Sequence, residues 1–345
     1  MRIPSFLAEN TLLGKASVVV RLAVAAAVAG ALVAGLSLPA VGALGTIVRD
    51  GATKFNTLGT PDLHQLPVRS AILDRHGKLL AYYYPRNGQI DRVPVSYSQI
   101  SPVMRQAIVA IEDSRFYQHG AIDFRGTVRA LVNNLEHQSV QGGSTLAQQY
   151  VKNVEILSSP HFVQAFNNAT SPTIGRKIRE LRMAVEVEHT MSKPQILAGY
   201  LNAAFFGNQS YGIEVAAQRY FSIPAAKLTL PQAAMLAGIV ENPSLYDPLG
   251  TAAQVLATQD RRNTVLARMA QLRYISASAA AAAEKQKLTL NPSLPQSGCT
   301  SKSAKYAAYL CDYVVAVIHH DIAYKQVANR LDGLGGLTIT TTLDP

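Results

Sequence analysis

The sequence predicts a mostly α fold behind an N-terminal transmembrane helix, and three observations predict it. Residues 22–48 carry no charged side chain, and about twenty apolar residues suffice to cross a bilayer core as a helix. Apolar Val103, Ala107, Ile108 and Ile111 recur at helical spacing after Ser101-Pro102, an N-cap followed by proline at the first helical position. Ser192 to Gln195 and Thr229 to Gln232 each have the capping-box spacing, and each opens an apolar helical run.

From the N-terminus onward, Arg2, Lys15 and Arg21 precede the uncharged span. The positive-inside rule therefore leaves residues 1–21 as a cytoplasmic tail and puts the remainder outside. A secretory signal shares this order of charge and apolarity, but its apolar stretch is only roughly 7–15 residues. A retained, single-pass plasma-membrane anchor at 22–48 is the expectation. Residues 49–69 are mixed and polar, as a linker would be. Ser70–Tyr84 reads as two short strands around a turn at Asp74-Arg75-His76-Gly77. A helical domain is predicted from there to residue 273. Residues 274–345 hold an alanine-rich helix, a loop with proline, serine and cysteine, another helical stretch and a strand reading GGLTITTTLDP.

Composition narrows the partners. The 345 residues carry a formal charge of +10, which suits an anionic partner such as an acidic membrane surface or a phosphorylated substrate. No basic run interleaved with aromatics is present and no nucleic-acid-binding motif occurs, so no nucleic acid is expected. Cys299 and Cys311 are too few for a zinc site. In an oxidising exterior a disulfide closing a short loop is favoured, with two buried thiols as the alternative.

Three segments carry candidate chemistry. Glu112-Asp113 end the helix that begins at Pro102, and Arg115, Phe116, His119 and Asp123 follow. Glu112 has the makings of a general base whose pKa is raised by burial and by Asp113, although a solvated acidic turn paired with Arg115 is the simpler reading of these residues alone. Gly142-Gly143-Ser144-Thr145 leads into a helix carrying Gln148, Gln149 and Lys152. Backbone N–H groups exposed at such a start hold phosphate, and Ser144, Gln148 and Lys152 fall at i+4 intervals on one expected face. A capped helix with a polar outer face explains the same pattern. The P-loop spacing is absent. Arg176, Lys177, Arg179 and Glu180 open a third helix, where Arg176 and Glu180 share a face, either as a surface ion pair or as part of an anion site.

Together, EDSRFYQHGAIDFRG, GGSTLAQQYVKN, RKIRE and SKPQILAGYLNAAFFGNQSYGIEVAAQRYF resemble the glycosyltransferase family 51 domain of class A penicillin-binding proteins and monofunctional peptidoglycan glycosyltransferases. LTLPQAAMLAGIVENPSLYDP and the segment Arg261 to Leu266 fit that domain's end, so the likeness covers about residues 70–273 in family order. The resemblance implies a lysozyme-like lobe with a smaller membrane-proximal lobe, and lipid II as substrate. It implies Glu112 as catalytic base and Glu180 as the second catalytic carboxylate. Asp113, Arg115, Phe116, His119, Ser144, Gln148, Gln149, Lys152, Arg176, Lys177 and Arg179 are then expected to bind substrate. It also implies a nascent glycan strand and cell-wall machinery as partners, inhibition by a moenomycin-type phosphoglycolipid, and no tightly bound cofactor or protein-held metal, with Mg2+ at most assisting the diphosphate.

Two departures stand out. Ala121 holds a position where the family usually has glycine, and Val154–Gly175 is longer than expected, as a lid inserted over the cleft would be. A membrane-bound muramidase or lytic transglycosylase is the main competing reading, and a non-catalytic lipid II-binding scaffold the next. The basic segments favour transfer, because glycan cleavage leaves no pyrophosphate to neutralise. The transpeptidase motifs Ser-x-x-Lys and Lys-Thr-Gly do not occur, yet TTTLDP resembles the run-in to that module. The sequence is therefore expected to be the N-terminal part of a longer protein.

Overall fold

The computed structural model describes residues 65–123, 143–171, 173–293, 298–299 and 307–344. Among them no helix is long and apolar enough to cross a membrane. The span expected at 22–48 and the tail at 1–21 lie outside the described residues.

The described chain is mostly helical, as its periodicity predicts. Its principal helices are α1 (Pro102–Glu112), α2 (Leu146–Ser158), α3 (Phe162–Thr170), α4 (Ile174–Thr190), α5 (Lys193–Ala203), α6 (Ile213–Phe221), α7 (Leu230–Ile239), α8 (Ala252–Gln271) and α9 (Ala277–Lys285), with α10 (Ala308–His320) and α11 (Lys325–Gly333) further on. Both predicted capping boxes form. Gln195 Oε1 accepts from the Ser192 N–H at 2.8 Å, and Gln232 Oε1 accepts from the Thr229 N–H at 3.0 Å. Helix α7 is buried along almost its whole length and packs against α1 and α8. A helix apolar on every side belongs in a core, and α7 is the central one here.

The hairpin read at Ser70–Tyr84 is present as β1 (Ser70–Leu73) and β2 (Leu79–Tyr83), with Asp74 Oδ1 accepting from the His76 and Lys78 N–H groups at 2.8 Å to shape the turn. Its outer partner comes from far along the chain. β5 (Thr338–Thr340) runs parallel to β1, giving a three-stranded sheet in the order β2-β1-β5. Residues expected to lead into another module thus close back onto the first hairpin. Cys299 and Cys311 form a disulfide in this sheet's own small core, beside Ile72, Leu80 and Ala81. Of the two readings open for the cysteines, the structure takes the bonded one.

A second pairing ties the helices together. β3 (Asp91–Arg92) runs parallel to β4 (Ser210–Tyr211), and Arg92 Nε donates to the Asn202 carbonyl at 2.6 Å. The chain passes Asn202 so closely at Gly212 that a Cβ there would lie 2.9 Å from that same oxygen, and Gly212 has φ +88°. Only glycine combines that conformation with that approach. The long segment Val154–Gly175 is mostly helix. Helix α2 continues to Ser158, and α3 follows, packed against α2. Val163 and Phe166 on α3 face outward.

Candidate active site

Glu112 is the last residue of α1 and its side chain keeps an open face. Gln149 Nε2, from α2, donates to Glu112 Oε2 at 2.7 Å. Burial pushes the Glu112 carboxyl above its usual range; the Gln149 hydrogen bond, Arg261 and Lys152 oppose the rise, and Glu241 adds to it. The sequence reading credited Asp113 with part of this elevation, and the structure corrects that. Asp113 turns away, accepting from His119 Nε2 at 2.7 Å and from the Leu146 N–H at 3.1 Å. It thereby caps the start of α2, where a carboxylate is favoured by the unsatisfied N–H groups and the helix dipole.

The acidic turn paired with Arg115 is not formed either, because Arg115 pairs with Asp123. His119 Nδ1 faces the Gly120 carbonyl at 2.6 Å. Both ring nitrogens therefore meet acceptors, which suits the imidazolium. Burial pulls the His119 pKa down, but the Asp113 carboxylate and the Gly120 carbonyl outweigh it, and the net direction is up. Phe116 is fully buried beneath Lys193, whose Nζ lies 4.5 Å from its ring centre. It is a core residue and is not placed to touch a substrate. Ala121, where the family usually has glycine, uses its carbonyl to accept from Thr145 Oγ1 at 3.1 Å and Gln148 Nε2 at 2.8 Å. These bonds tie the loop after α1 to the start of α2.

The helical ridge of Ser144, Gln148 and Lys152 is also corrected. The N-cap is Thr145, so Ser144 precedes the helix, and Gln148 is buried. Lys177 of α4 gathers them instead. Its Nζ donates to Ser144 Oγ at 2.8 Å, Gln148 Oε1 at 2.9 Å and Glu180 Oε1 at 2.6 Å, which uses all three ammonium protons. Arg176 Nη1 meets Glu180 Oε2 at 2.5 Å. Glu180 is buried and grips both cations, so the i,i+4 pair is no ordinary surface ion pair. Arg179 reaches away from this group to Glu155 of α2, at 3.1 Å.

Lys152 connects the two carboxylates. Burial lowers its pKa, Glu180 and Glu112 raise it, and Lys177 and Arg176 lower it. One ammonium thus lies within electrostatic reach of both Glu112 and Glu180. Among the described residues it has no hydrogen-bond or ion-pair partner, so it is free for an incoming anion. The site therefore joins a carboxylate with a raised proton affinity to a set of cations, with Lys152 between them.

Asp113, His119 and Asp123 bring one ligand atom each within 4.8 Å of one another. Each is already engaged, with Leu146, Gly120 and Arg115 respectively in addition to the Asp113–His119 bond.

Comparison with known proteins matches residues 76–270 to the transglycosylase family. The chain belongs to that family. It is 34% identical over 275 residues to penicillin-binding protein 1A of Streptococcus pneumoniae, covering 79% of this chain and 34% of that protein. It is 35% identical over 280 residues to penicillin-binding protein 1F of Bacillus subtilis, covering 81% and 35%. Against penicillin-binding protein 1A of Escherichia coli it is 37% identical over 213 residues, covering 61% and 23%. The chain spans about a third of the length of the first two relatives. Residues 76–270 are thus a peptidoglycan glycosyltransferase domain of the class A penicillin-binding type, an enzyme domain of cell-wall synthesis.

Four residues of the site escaped the sequence reading of candidate chemistry. Tyr200 donates to Gln149 Oε1 at 3.2 Å. Lys193 holds the His119 carbonyl at 2.6 Å. Arg261 and Glu241 pair at 3.2 Å, and both act on Glu112. Gly238 allows Arg261 in, since a Cβ there would lie 2.8 Å from its Cγ. The stretches that contain them read as capped helices and as part of the resemblance, without a role for these residues.

Proposed function

We propose that the chain polymerises lipid II into β1,4-linked glycan strands on the outer face of the plasma membrane. The single observation that carries this reading is Lys152, an unpartnered ammonium between Glu112 and the Glu180-bound cations. Glu112 takes the proton of the acceptor sugar's 4-hydroxyl as that oxygen attacks the anomeric carbon of the lipid-linked donor. The bond from that carbon to the diphosphate oxygen breaks with inversion, and undecaprenyl pyrophosphate leaves with the electron pair. Lys152, Arg176 and Lys177 neutralise the departing charge. Lys177 has to exchange a present partner for a diphosphate oxygen, and Ser144 and Gln148 are the neutral ones it releases.

Glu180 positions the cations through its bonds to Arg176 and Lys177. A raised Glu112 pKa suits a general base, because it strengthens the affinity for the acceptor's proton. The cation set supplies the charge that a diphosphate requires, so no step runs through a metal ion. Any Mg2+ that arrives on the diphosphate counts as part of the substrate. A lysozyme-like lobe, a membrane-proximal lobe, the anchor at 22–48 and sensitivity to moenomycin-type inhibitors belong to the same reading. Exposed Val163 and Phe166 on α3 support a face that meets lipid.

The test is purified, detergent-solubilised protein with lipid II, reading glycan strands on gels with and without moenomycin. Wild type should give strands that moenomycin suppresses. Glu112→Gln should lower the rate about 10²–10⁴-fold, the usual worth of general-base help. Polymerisation by Glu112→Gln at the wild-type rate rejects the base, and release of fragments from finished glycan favours the hydrolase reading.

A further inference from the structure

Two hydrogen bonds in series hold one side of the Glu112 carboxylate. Gln149 Nε2 donates to Glu112 Oε2 at 2.7 Å, and the Tyr200 hydroxyl donates to Gln149 Oε1 at 3.2 Å. The order of atoms follows from chemistry. An ionised carboxylate only accepts, so the end of the amide facing Glu112 has to be NH2. The other end is then a carbonyl that needs a donor, and Tyr200 supplies it. Tyr200 is fully buried, and burial together with the Glu112 charge pushes its pKa well above 10. Its hydroxyl consequently stays protonated wherever the enzyme operates.

The relay crosses three helices, with Glu112 on α1, Gln149 on α2 and Tyr200 on α5. Helices α2 and α5 are in close contact beside it. A Cβ at Gly199 would lie 2.7 Å from the Tyr150 ring, so the distance from Tyr200 to Gln149 is set by packing. Among the described residues Glu112 Oε1 has no hydrogen-bond partner. The remaining charges around Glu112 are Lys152 on α2 and the Arg261–Glu241 pair from α8 and the turn after α7, while Asp113 faces away toward His119 and Leu146.

We propose that Tyr200 is a positioning residue for the glycosyl transfer described above. By fixing the direction of the Gln149 amide, it ties down one oxygen of Glu112 and leaves the other to receive the acceptor's proton. The inference rests on that reading of the reaction, and the experiment separates the two.

Tyr200→Phe keeps the ring and removes only the donor. The freed amide then turns its carbonyl toward Glu112 part of the time, which disfavours the ionised base. In the full chain acting on lipid II, the acid limb of the kcat–pH profile should move up by about one pH unit, as expected for losing a hydrogen bond to a charged group. Below the limb kcat falls about tenfold, while KM stays unchanged. In a Gln149→Leu background, adding Tyr200→Phe should move the limb no further, and the apolar double variant should melt above Gln149→Leu alone. A Tyr200→Phe protein with a lower melting temperature but an unmoved acid limb overturns the proposal. An equal displacement in both backgrounds overturns it as well.

Infrared titration of the Glu112 carboxyl, identified by subtracting Glu112→Gln, reads the relay without turnover. An upward move in Tyr200→Phe is expected there too. If wild type makes no glycan, the functional reading fails while the titration still decides the relay.

Discussion

Glu180→Gln isolates the electrostatic half of the site. The carboxylate is buried and has a cation on each oxygen, Arg176 at 2.5 Å and Lys177 at 2.6 Å. The amide preserves shape but offers one acceptor, so its NH2 has to face one of the two donors. Arg176, Lys177 and Lys152 are then left together without their shared counter-charge. Removing one partner of a buried pair costs about 3–5 kcal/mol. Here Lys177 and Arg176 are partly open to water, with side-chain exposures of 43% and 21%, and solvent screening brings the expected cost to roughly 2 kcal/mol. For a domain of this size that amounts to about 4–8 °C in melting temperature.

Thermal unfolding at pH 7 reads the loss directly. Inorganic pyrophosphate gives a second signature, because it supplies the charge that the substitution removes. It should raise the melting temperature of Glu180→Gln more than that of wild type. Polymerisation of lipid II should fall in step, since the cations no longer hold their spacing. A melting temperature within about 1 °C of wild type, with an equal response to pyrophosphate, refutes the role given to Glu180.

Two other outcomes are expected. His119 has a raised pKa in the fold, so its contribution is complete below the unfolded value of 6.5 and is lost as pH rises through the folded value. The stability gap between wild type and His119→Asn should therefore narrow on going from pH 6 to pH 9, and a gap that is constant or widens argues against the Asp113–His119 bond. The Cys299–Cys311 bridge closes a loop with a sequence separation of 12, worth about 2–3 kcal/mol by loop entropy. Its reduction should speed hydrogen exchange in β1 and β2 while leaving the amides of α2 protected, and uniform loss of protection would show that the sheet and the helices unfold as one unit.

Local signals were legible wherever the chain's own neighbours decide the structure. Proline after serine at 101–102 and the two capping boxes started helices where expected, and the turn at Asp74 joined the predicted hairpin. Glu112 stood out as a carboxylate closing an apolar run, but only the resemblance made it the base. Asp113 beside it was not, since its partner is the Leu146 N–H, 33 residues on. Ser144 and Lys177, also 33 apart, meet only after α2 and α4 pack. Phe116 sits among motif residues, but its burial overrides that cue. Arg179 neighbours the gripped carboxylate in sequence, yet finds Glu155 across the α2–α4 contact. Spacing along one helix cannot reveal a partner on another, and Tyr200 and Arg261 escaped for that reason.

The parallel alignment of β1 with β5 has a consequence for biosynthesis. Leu337 N–H donates to Ser70 Oγ across 267 residues, and Thr341 N–H to the Leu73 carbonyl. The hairpin leaves the ribosome early, with one long edge unsatisfied until the catalytic helices have followed it out. Exposed strand edges recruit foreign strands, and contacts between such distant stretches form slowly. Completion of this sheet therefore comes late in the maturation of the chain, and the open edge at residues 70–73 is the step most exposed to misassembly.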